Sequence, residues 1–402
     1  MDIRPILASL PKHRIPALLI VLEIALACAV LCNAVFMVAQ CVIDGRAPNA
    51  IDEQGLSVIH MGGVDSRRAA DTVSRDLAAL RSLPGLKNAA AINQPPLGPD
   101  ARYNGFTNKP TAEPQVNSSV YLIGKGAEQT LGLRLLEGRY FTDQEYAQGE
   151  LLPNHQSASH VVLINQSDAK RWWPGQSALG QQIYADGSAW TVIGVVADVI
   201  AQDPNFAGVS GRYSGVFFPQ RPSADTNHYI LRSEPADRDR VLQQAMQTLG
   251  KLEPGAVLEG KTFTDLRADY FAGSRNLAWM LVLVCVVMLA VTALGIVGLT
   301  SFWVGQRRKQ IGIRRAVGAS YGQILAYFQT ENFLLSTAGV LLGLVLAFGI
   351  NIYLMRHYEV NRMPWYYLGG GAAALWLLGQ LAVLGPALRA ASVPPVEATR
   401  TV

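Results

Sequence analysis

The sequence predicts an α-helical membrane protein with four transmembrane helices and one large α+β domain outside the membrane. That domain is built of two strand-helix-strand units with an inserted β-rich subdomain. Three observations predict this. The chain of 402 residues is 50% hydrophobic but only 16% charged, where about a quarter charged is usual in soluble proteins. The apolar residues concentrate at 15–43 and 276–390 and leave a polar middle. Lys and Arg gather at the edges of the apolar stretches, above all in 307–320, which holds five Lys/Arg and no acid.

Residues 1–14 read as a cytoplasmic N-terminus and 15–43 as the first membrane helix. The apolar run exceeds the 7–15 residues or so of a signal-peptide core, and Gln40 spoils a lipoprotein cleavage box before Cys41, so an uncleaved helix is expected. Further spans are expected at 276–304, 322–353 and 366–388. The second is longer than the roughly 20 residues a bilayer needs, so extra turns project beyond it. Arg4, Lys12, Arg14, the cluster from Arg307 to Arg315, Arg389 and Arg400 place both termini and the 305–321 segment in the cytoplasm. The 44–272 block then lies outside, in the periplasm or at the extracellular face, and 389–402 is a cytoplasmic tail. Basic residues in that block are interspersed with acids, which excludes a nucleic-acid patch.

Within the outer block a pattern occurs twice. Residues 56–60 read as a strand, and 66–83 as a helix with Ala70, Val73, Leu77 and Leu80 on one side. Pro84-Gly85 and a strand at 86–92 follow. The second round has a strand at 228–232, a helix at 236–252 carrying Val241, Ala245 and Leu249, then Pro254-Gly255 and a strand at 256–259. Two such units, 51–93 and 226–264, are expected to pair into one α+β layer. The stretch between them, 94–225, is an insertion with apolar strand-like runs at 120–123, 161–164, 190–196 and 215–218. The block contains no cysteine, so no disulfide framework holds it.

The basic segment is patterned: Ile311, Ile313 and Val317 alternate with fixed cations, as expected for a short helix along the membrane surface that offers a face to a cytoplasmic partner. Its run Ile311-Gly312-Ile313-Arg314-Arg315-Ala316-Val317-Gly318-Ala319 resembles the signature of the MacB/FtsX-type permeases of ABC transporters. Two glutamates usual in that signature are replaced by Gln306 and Gln310. A second resemblance runs from Asn165 through Ala169, Trp173, Pro174 and Gly175 to Gly180 and Ile183, then Thr191-Val192-Ile193-Gly194-Val195-Val196-Ala197-Asp198-Val199. The tail, with Pro386-Ala387, Ala390, Pro395, Ala398 and Arg400, fits as well. Three motifs in the right order make the resemblance cover nearly the whole chain.

The resemblance implies a permease subunit of a MacB-type system. It would sit in the bacterial inner membrane, with a porter-like part (51–93 and 226–264) and a sabre-like insertion (94–225) in the periplasm. It implies that Arg307, Arg308, Gln310, Ile311, Gly312, Ile313, Arg314, Arg315, Ala316, Gly318 and Ala319 form the element that couples to an ATPase. No phosphate-binding Gly-x-x-x-x-Gly-Lys-[Ser/Thr] loop occurs. The expected ATPase is therefore a separate subunit that holds ATP and Mg, and this chain is expected to be no enzyme and to carry no cofactor of its own. Implied partners are a second permease, same or related, and a periplasmic adaptor with an outer-membrane duct. Implied cargo is a peptide, an antibiotic, a siderophore or a lipid. The alternative is an FtsX-like signalling subunit that regulates periplasmic partners, or lipoprotein extraction; the large outer domain favours export.

Polar residues inside the spans complete the reading. Glu23, in the first span, is a functional candidate by position, although structural pairing with a basic residue outweighs a transport role. Glu331, with Gln329 and Asn332 at the start of the third span, reads as a partner of the coupling segment or as a residue reaching for the interface. Gly339 and Gly343 suit close helix approach, within the chain or between copies. Cys28 and Cys32, one turn apart, read as small packing residues rather than a metal pair. His155 and His160 read as loop residues rather than ligands, and no metal site is expected.

Overall fold

The structure is a computed structural model and describes residues 14–63, 66–99, 102–110, 116–149, 159–202, 211–307, 311–313, 316–358 and 362–392. The chain separates into two compact units: residues 47–273 form one, and 1–46 fold with 274–402 as the other. In chain order the elements are α1 (Arg14–Gly45), β1 (Leu56–Gly62), α2 (Ala69–Arg81), β2 (Leu86–Ile92), β3 (Tyr103–Phe106), β4 (Val116–Ile123), α3 (Ala127–Leu131), β5 (Leu135–Gly138), α4 (Asp143–Gln148), β6 (Val161–Asn165), α5 (Gln166–Trp172), β7 (Gln182–Ala185), β8 (Ser188–Val196), β9 (Gly215–Pro219), β10 (His228–Ser233), α6 (Arg238–Leu252), β11 (Val257–Thr262), α7 (Phe263–Tyr270), α8 (Ala272–Gln306), α9 (Tyr321–Tyr358) and α10 (Trp365–Ala391).

The 47–273 unit is built on a single mixed sheet in the order β11-β1-β10-β2-β4-β9-β6-β8-β5, with β3 on β4 and β7 on β8. The two strand-helix-strand units interleave. β10 of the second unit lies between β1 and β2 of the first and runs antiparallel to both. β1 and β2 are thus parallel, and a parallel pair needs a crossover, which α2 supplies. Helices α2 and α6 cover one face. Val73, Leu77 and Leu80 of α2 and Ala245 and Leu249 of α6 meet Ile59, Met61, Tyr229 and Leu231. Each buried side chain of this size contributes about 1.5–3 kcal/mol. The period-2 alternation in β1 and β10 sends Leu56, Val58 and Ile230 to the other face, where Phe263 and Leu266 of α7 and Leu131 of α3 pack. α2 stops where the Ser82 amide donates to Ala79 O and the Leu83 amide to Leu80 O, and Gly85 takes φ +88°.

The insertion extends the same sheet instead of forming a layer of its own, joining at Ile92 opposite Ile123. Its own core gathers Phe106, Trp172, Ile183, Trp190 and Phe218. Trp190 meets Phe218 edge to face, with ring centroids 5.4 Å apart. The run 165–175 acts as a staple. Asn165 Nδ2 donates to Val199 O (3.1 Å) and Tyr213 O (2.9 Å). Fully buried Asp168 accepts from Ser214 Oγ at 2.7 Å and the Gly215 amide at 2.8 Å. Asp198, at the end of the second motif, accepts from the Ser167 amide (2.8 Å) and hydroxyl (2.6 Å). Each motif acid therefore ties α5 to a neighbouring segment. His155 lies outside the described residues.

Among the described residues four helices are long and apolar enough to cross a membrane: 17–45, 272–306, 321–357 and 365–391. The last three are several residues longer than the sequence suggests, and the first is shifted by two residues. α1, α9 and α10 pack closely. A Cβ on Gly339 would meet Ile24 Cβ at 2.8 Å, and one on Gly343 would meet Cys28 Cβ at 2.5 Å, so this glycine pair serves contact between α9 and α1 within the chain. Cys32 takes the matching place against Gly371 of α10. Asn33 Nδ2 adds a polar tie from α1 to Ala347 O of α9 at 3.1 Å. Only 17% of the apolar window of α8 is buried within the protein, against 56% for α1. Most of α8 therefore faces outward.

Candidate functional site

The basic segment begins where α8 ends. The Arg307 amide continues the helical bonding to Trp303 O (3.0 Å), and the Ile311 amide to Arg307 O (2.9 Å). Helical geometry recurs at 311–313 and at Ala316. Gly318 then takes φ +103°, a conformation that suits glycine, and turns the chain toward α9. Ser320 and Gln323 cap α9 reciprocally: the Ser320 amide donates to Gln323 Oε1 at 2.9 Å, and the Gln323 amide to Ser320 Oγ at 3.3 Å. This is the Ser-x-x-Gln capping box, a signal present in the sequence.

Arg307 anchors the segment. Its Nη1 lies 3.2 and 3.1 Å from the two carboxylate oxygens of Glu331 and 3.4 Å from the Tyr327 hydroxyl. The guanidinium also sits 6.0 Å from the Trp303 ring centre. The side chains of Arg307 and Glu331 are 13% and 4% exposed. Glu331 stands about three turns into α9, not at its start. In so dry a place an unpaired charge would be costly, and each group offsets the other's. Composition points to Arg307 and Glu331; Tyr327 and Trp303 as the seat of the guanidinium do not show in it.

The apolar residues of the segment part company. Ile311 and Gly312 are buried, whereas Ile313 is 49% and Val317 83% exposed. The expectation of one face shared by Ile311, Ile313 and Val317 is corrected here. Positions two apart on a helix point to opposite sides, while positions four apart align. Ile311 joins the membrane core with Trp303 and Phe328. Ile313 and Val317, linked by the Val317 amide to Ile313 O bond of 3.0 Å, look outward with Ala316 and Gly318. Ala319 is half-buried. Arg308, Gln310, Arg314 and Arg315 lie outside the described residues.

Glu23 stands apart from this cluster. It is half-buried on α1, and its carboxylate rests against Gly295 of α8, where any Cβ would collide with it. It borders a cavity of about 420 Å³ whose other walls are apolar except for Thr292. Among the described residues no cation pairs with it.

Residues 23–260 match the MacB-like periplasmic core domain and residues 282–395 the FtsX-like permease C-terminal region. The macrolide export ATP-binding/permease protein MacB of Chromobacterium violaceum is 28% identical over 298 residues, covering 70% of this chain and 43% of that protein. The uncharacterized ABC transporter permease YknZ of Bacillus subtilis is 23% identical over 335 residues, covering 81% of this chain and 78% of that one. The pyoverdine export ATP-binding/permease protein PvdT of Pseudomonas aeruginosa is 24% identical over 354 residues, covering 86% and 50%. The chain thus spans less than half the length of the MacB proteins it matches. The periplasmic region of MacB from Actinobacillus actinomycetemcomitans overlays 55% of this chain and 94% of its own length, with a TM-score of 0.38 at 14% identity. Two matches that together take in both the outer domain and the membrane helices make this chain a member of the MacB/FtsX family of ABC transporter permeases, with a MacB-like periplasmic domain on an FtsX-like membrane unit.

Proposed function

We propose that the chain is the membrane subunit of an ATP-driven exporter of the inner membrane and works as a lever. An ATPase from outside these 402 residues, holding ATP and Mg, docks on the 307–319 segment. Closure of that ATPase moves the segment, and α8, which runs unbroken from Ala272 to Gln306, carries the motion to the periplasmic domain. There a second permease, an adaptor and an outer-membrane duct take up the cargo. Names of relatives speak of macrolides and pyoverdine, so a small or peptide-like molecule already in the periplasm is the proposed cargo class.

The observation that carries this reading is the divided segment. Arg307 and Ile311 fix it to the membrane unit, and Ile313 and Val317 are left to meet a partner. Exposed apolar residues flanked by cations form a docking patch in which charge steers and the apolar pair anchors. The test is reconstitution with the cognate ATPase. The permease is expected to bind it and alter its turnover, and Arg314→Glu with Arg315→Glu to abolish both. Normal binding and turnover by that double variant would reduce the segment to a basic loop that sets topology only.

A further inference from the structure

Away from the membrane unit, β1 and β10 carry His60 and His228 directly opposite each other. Residues opposite in an antiparallel pair share a face. His60 Nδ1 and His228 Nε2 stand 3.1 Å apart, with ring centroids 4.5 Å apart and planes inclined at 45°. The other nitrogen of His228, Nδ1, lies 2.9 Å from Asn227 Oδ1. An amide oxygen only accepts, so Nδ1 carries the proton and Nε2 is the ring nitrogen left to offer a lone pair. His60 Nδ1–H then donates into that lone pair, which leaves His60 Nε2 bare. It lies next to Gly62, which has no side chain; a Cβ there would stand 3.7 Å from Nε2.

We propose that His60 and His228 form a binding site for a nitrogen-seeking divalent transition ion of the Zn(II), Ni(II) or Cu(II) class. Metal-nitrogen bonds of about 2.0–2.1 Å put two ligating nitrogens about 2.8 Å apart at a right angle and about 3.4 Å apart in a tetrahedron. The observed 3.1 Å falls between these limits. The ion takes the place of the bridging hydrogen. His60 shifts its proton from Nδ1 to Nε2, beside Gly62, and no proton leaves the pair, so charge and atoms balance. Asn227 already supplies the outer hydrogen bond that orients a ligating imidazole. Among the described residues no group of three His, Cys, Asp or Glu completes a closed site. Water fills the remaining positions, and the ion is exchangeable rather than permanent. Mg and Ca, which want oxygen ligands, are excluded. The two histidines lie 168 residues apart in sequence, one from each strand-helix-strand unit, so a bound ion clips the two halves of the layer together.

The test uses the full chain in detergent, purified without a histidine tag. Cu(II) is titrated and followed by electron paramagnetic resonance. The expected result is saturation at one equivalent with a two-nitrogen coupling pattern. His60→Gln, at a half-exposed position, is expected to leave one nitrogen and weaken binding by at least about tenfold, the loss typical of even an outer-shell change. His160→Gln, at an exposed position outside the pair, is expected to bind as the parent does. Zn(II), but not Mg(II), is expected to raise the unfolding temperature of the parent and of the His160→Gln chain, and not that of His60→Gln. A parent chain with no one-equivalent two-nitrogen signal, or a His60→Gln chain that keeps it, overturns the proposal.

Discussion

The Arg307 guanidinium reaches both carboxylate oxygens of Glu331, 24 residues along the chain and on the next membrane helix. The pair joins the end of α8 to α9 at the point where the basic segment leaves the bundle. Removing one partner strands the other charge in a dry site. Glu331→Gln is therefore expected to cost about 3–5 kcal/mol, seen as a lower unfolding temperature in detergent. Replacing both, as Arg307→Met with Glu331→Leu, is expected to recover most of that loss. A double variant as unstable as the single one would mean that the pair contributes more than mutual compensation.

The segment's two faces give opposite outcomes. Ile313→Asp and Val317→Asp alter exposed side chains and are expected to leave the unfolding temperature unchanged while preventing co-purification of the ATPase. Ile311→Asp places a charge among Trp303 and Phe328 and is expected to destabilise the membrane unit itself. Size-exclusion chromatography with the ATPase, together with a melting curve, separates the two effects.

Much of this architecture is legible in the sequence. The spans show because hydropathy over a long window resists local accidents, and β2 begins and ends where its pattern says, at Leu86 and Ile92. Helices α2 and α6 show because Val73, Leu77, Val241 and Ala245 recur at helical spacing. Strands β3, β5 and β7 escape. Each has four residues, too few for an alternation to register, and β5 is mostly exposed. In the site, the basic run and Glu331 are visible in composition. The inward turn of Ile311 is not, since it follows from where α8 ends and hands its helical phase to the segment. The roles of Asp168 and Asp198 are likewise invisible, because they depend on partners 46 and 31 residues away.

Glycine positions in the bundle offer an independent check. Gly343→Val would drive its side chain into Cys28 and Ala25, and a loss of about 1–3 kcal/mol is expected. Gly298→Ala meets nothing within 4 Å and is expected to be neutral. Melting curves of the two variants decide. A neutral Gly343→Val would move this glycine pair from the intrachain contact to some other surface.

Acid sensitivity of the periplasmic domain should trace in part to Glu145. Its carboxylate meets Arg139 at 2.8 and 2.7 Å and caps α4 through the Thr142 amide at 2.7 Å. The Arg139 hydrogen bonds foremost hold its pKa down to about 2. A folded value below the unfolded one of about 4.3 means stabilisation that is complete above that value and lost as pH falls toward about 2. Glu145→Gln is expected to cost about 1 kcal/mol at pH 7, the worth of a cap, and progressively less below about pH 4. Urea unfolding of the two chains between pH 2.5 and 7 measures the gap. A gap that does not narrow in acid contradicts the assignment.

The central claim is that motion passes along α8 from the ATPase-docking segment to the periplasmic domain. A flexible Gly-Ser insertion between Ala272 and Ser274, at the start of that helix, interrupts α8 beside the boundary between the two compact units. Export of a cargo and ATP turnover are measured side by side in the reconstituted complex. The account expects export to be lost while ATP turnover continues near its usual rate. Export at the parental rate with the insertion in place would contradict it and would place the route of coupling elsewhere in the membrane unit.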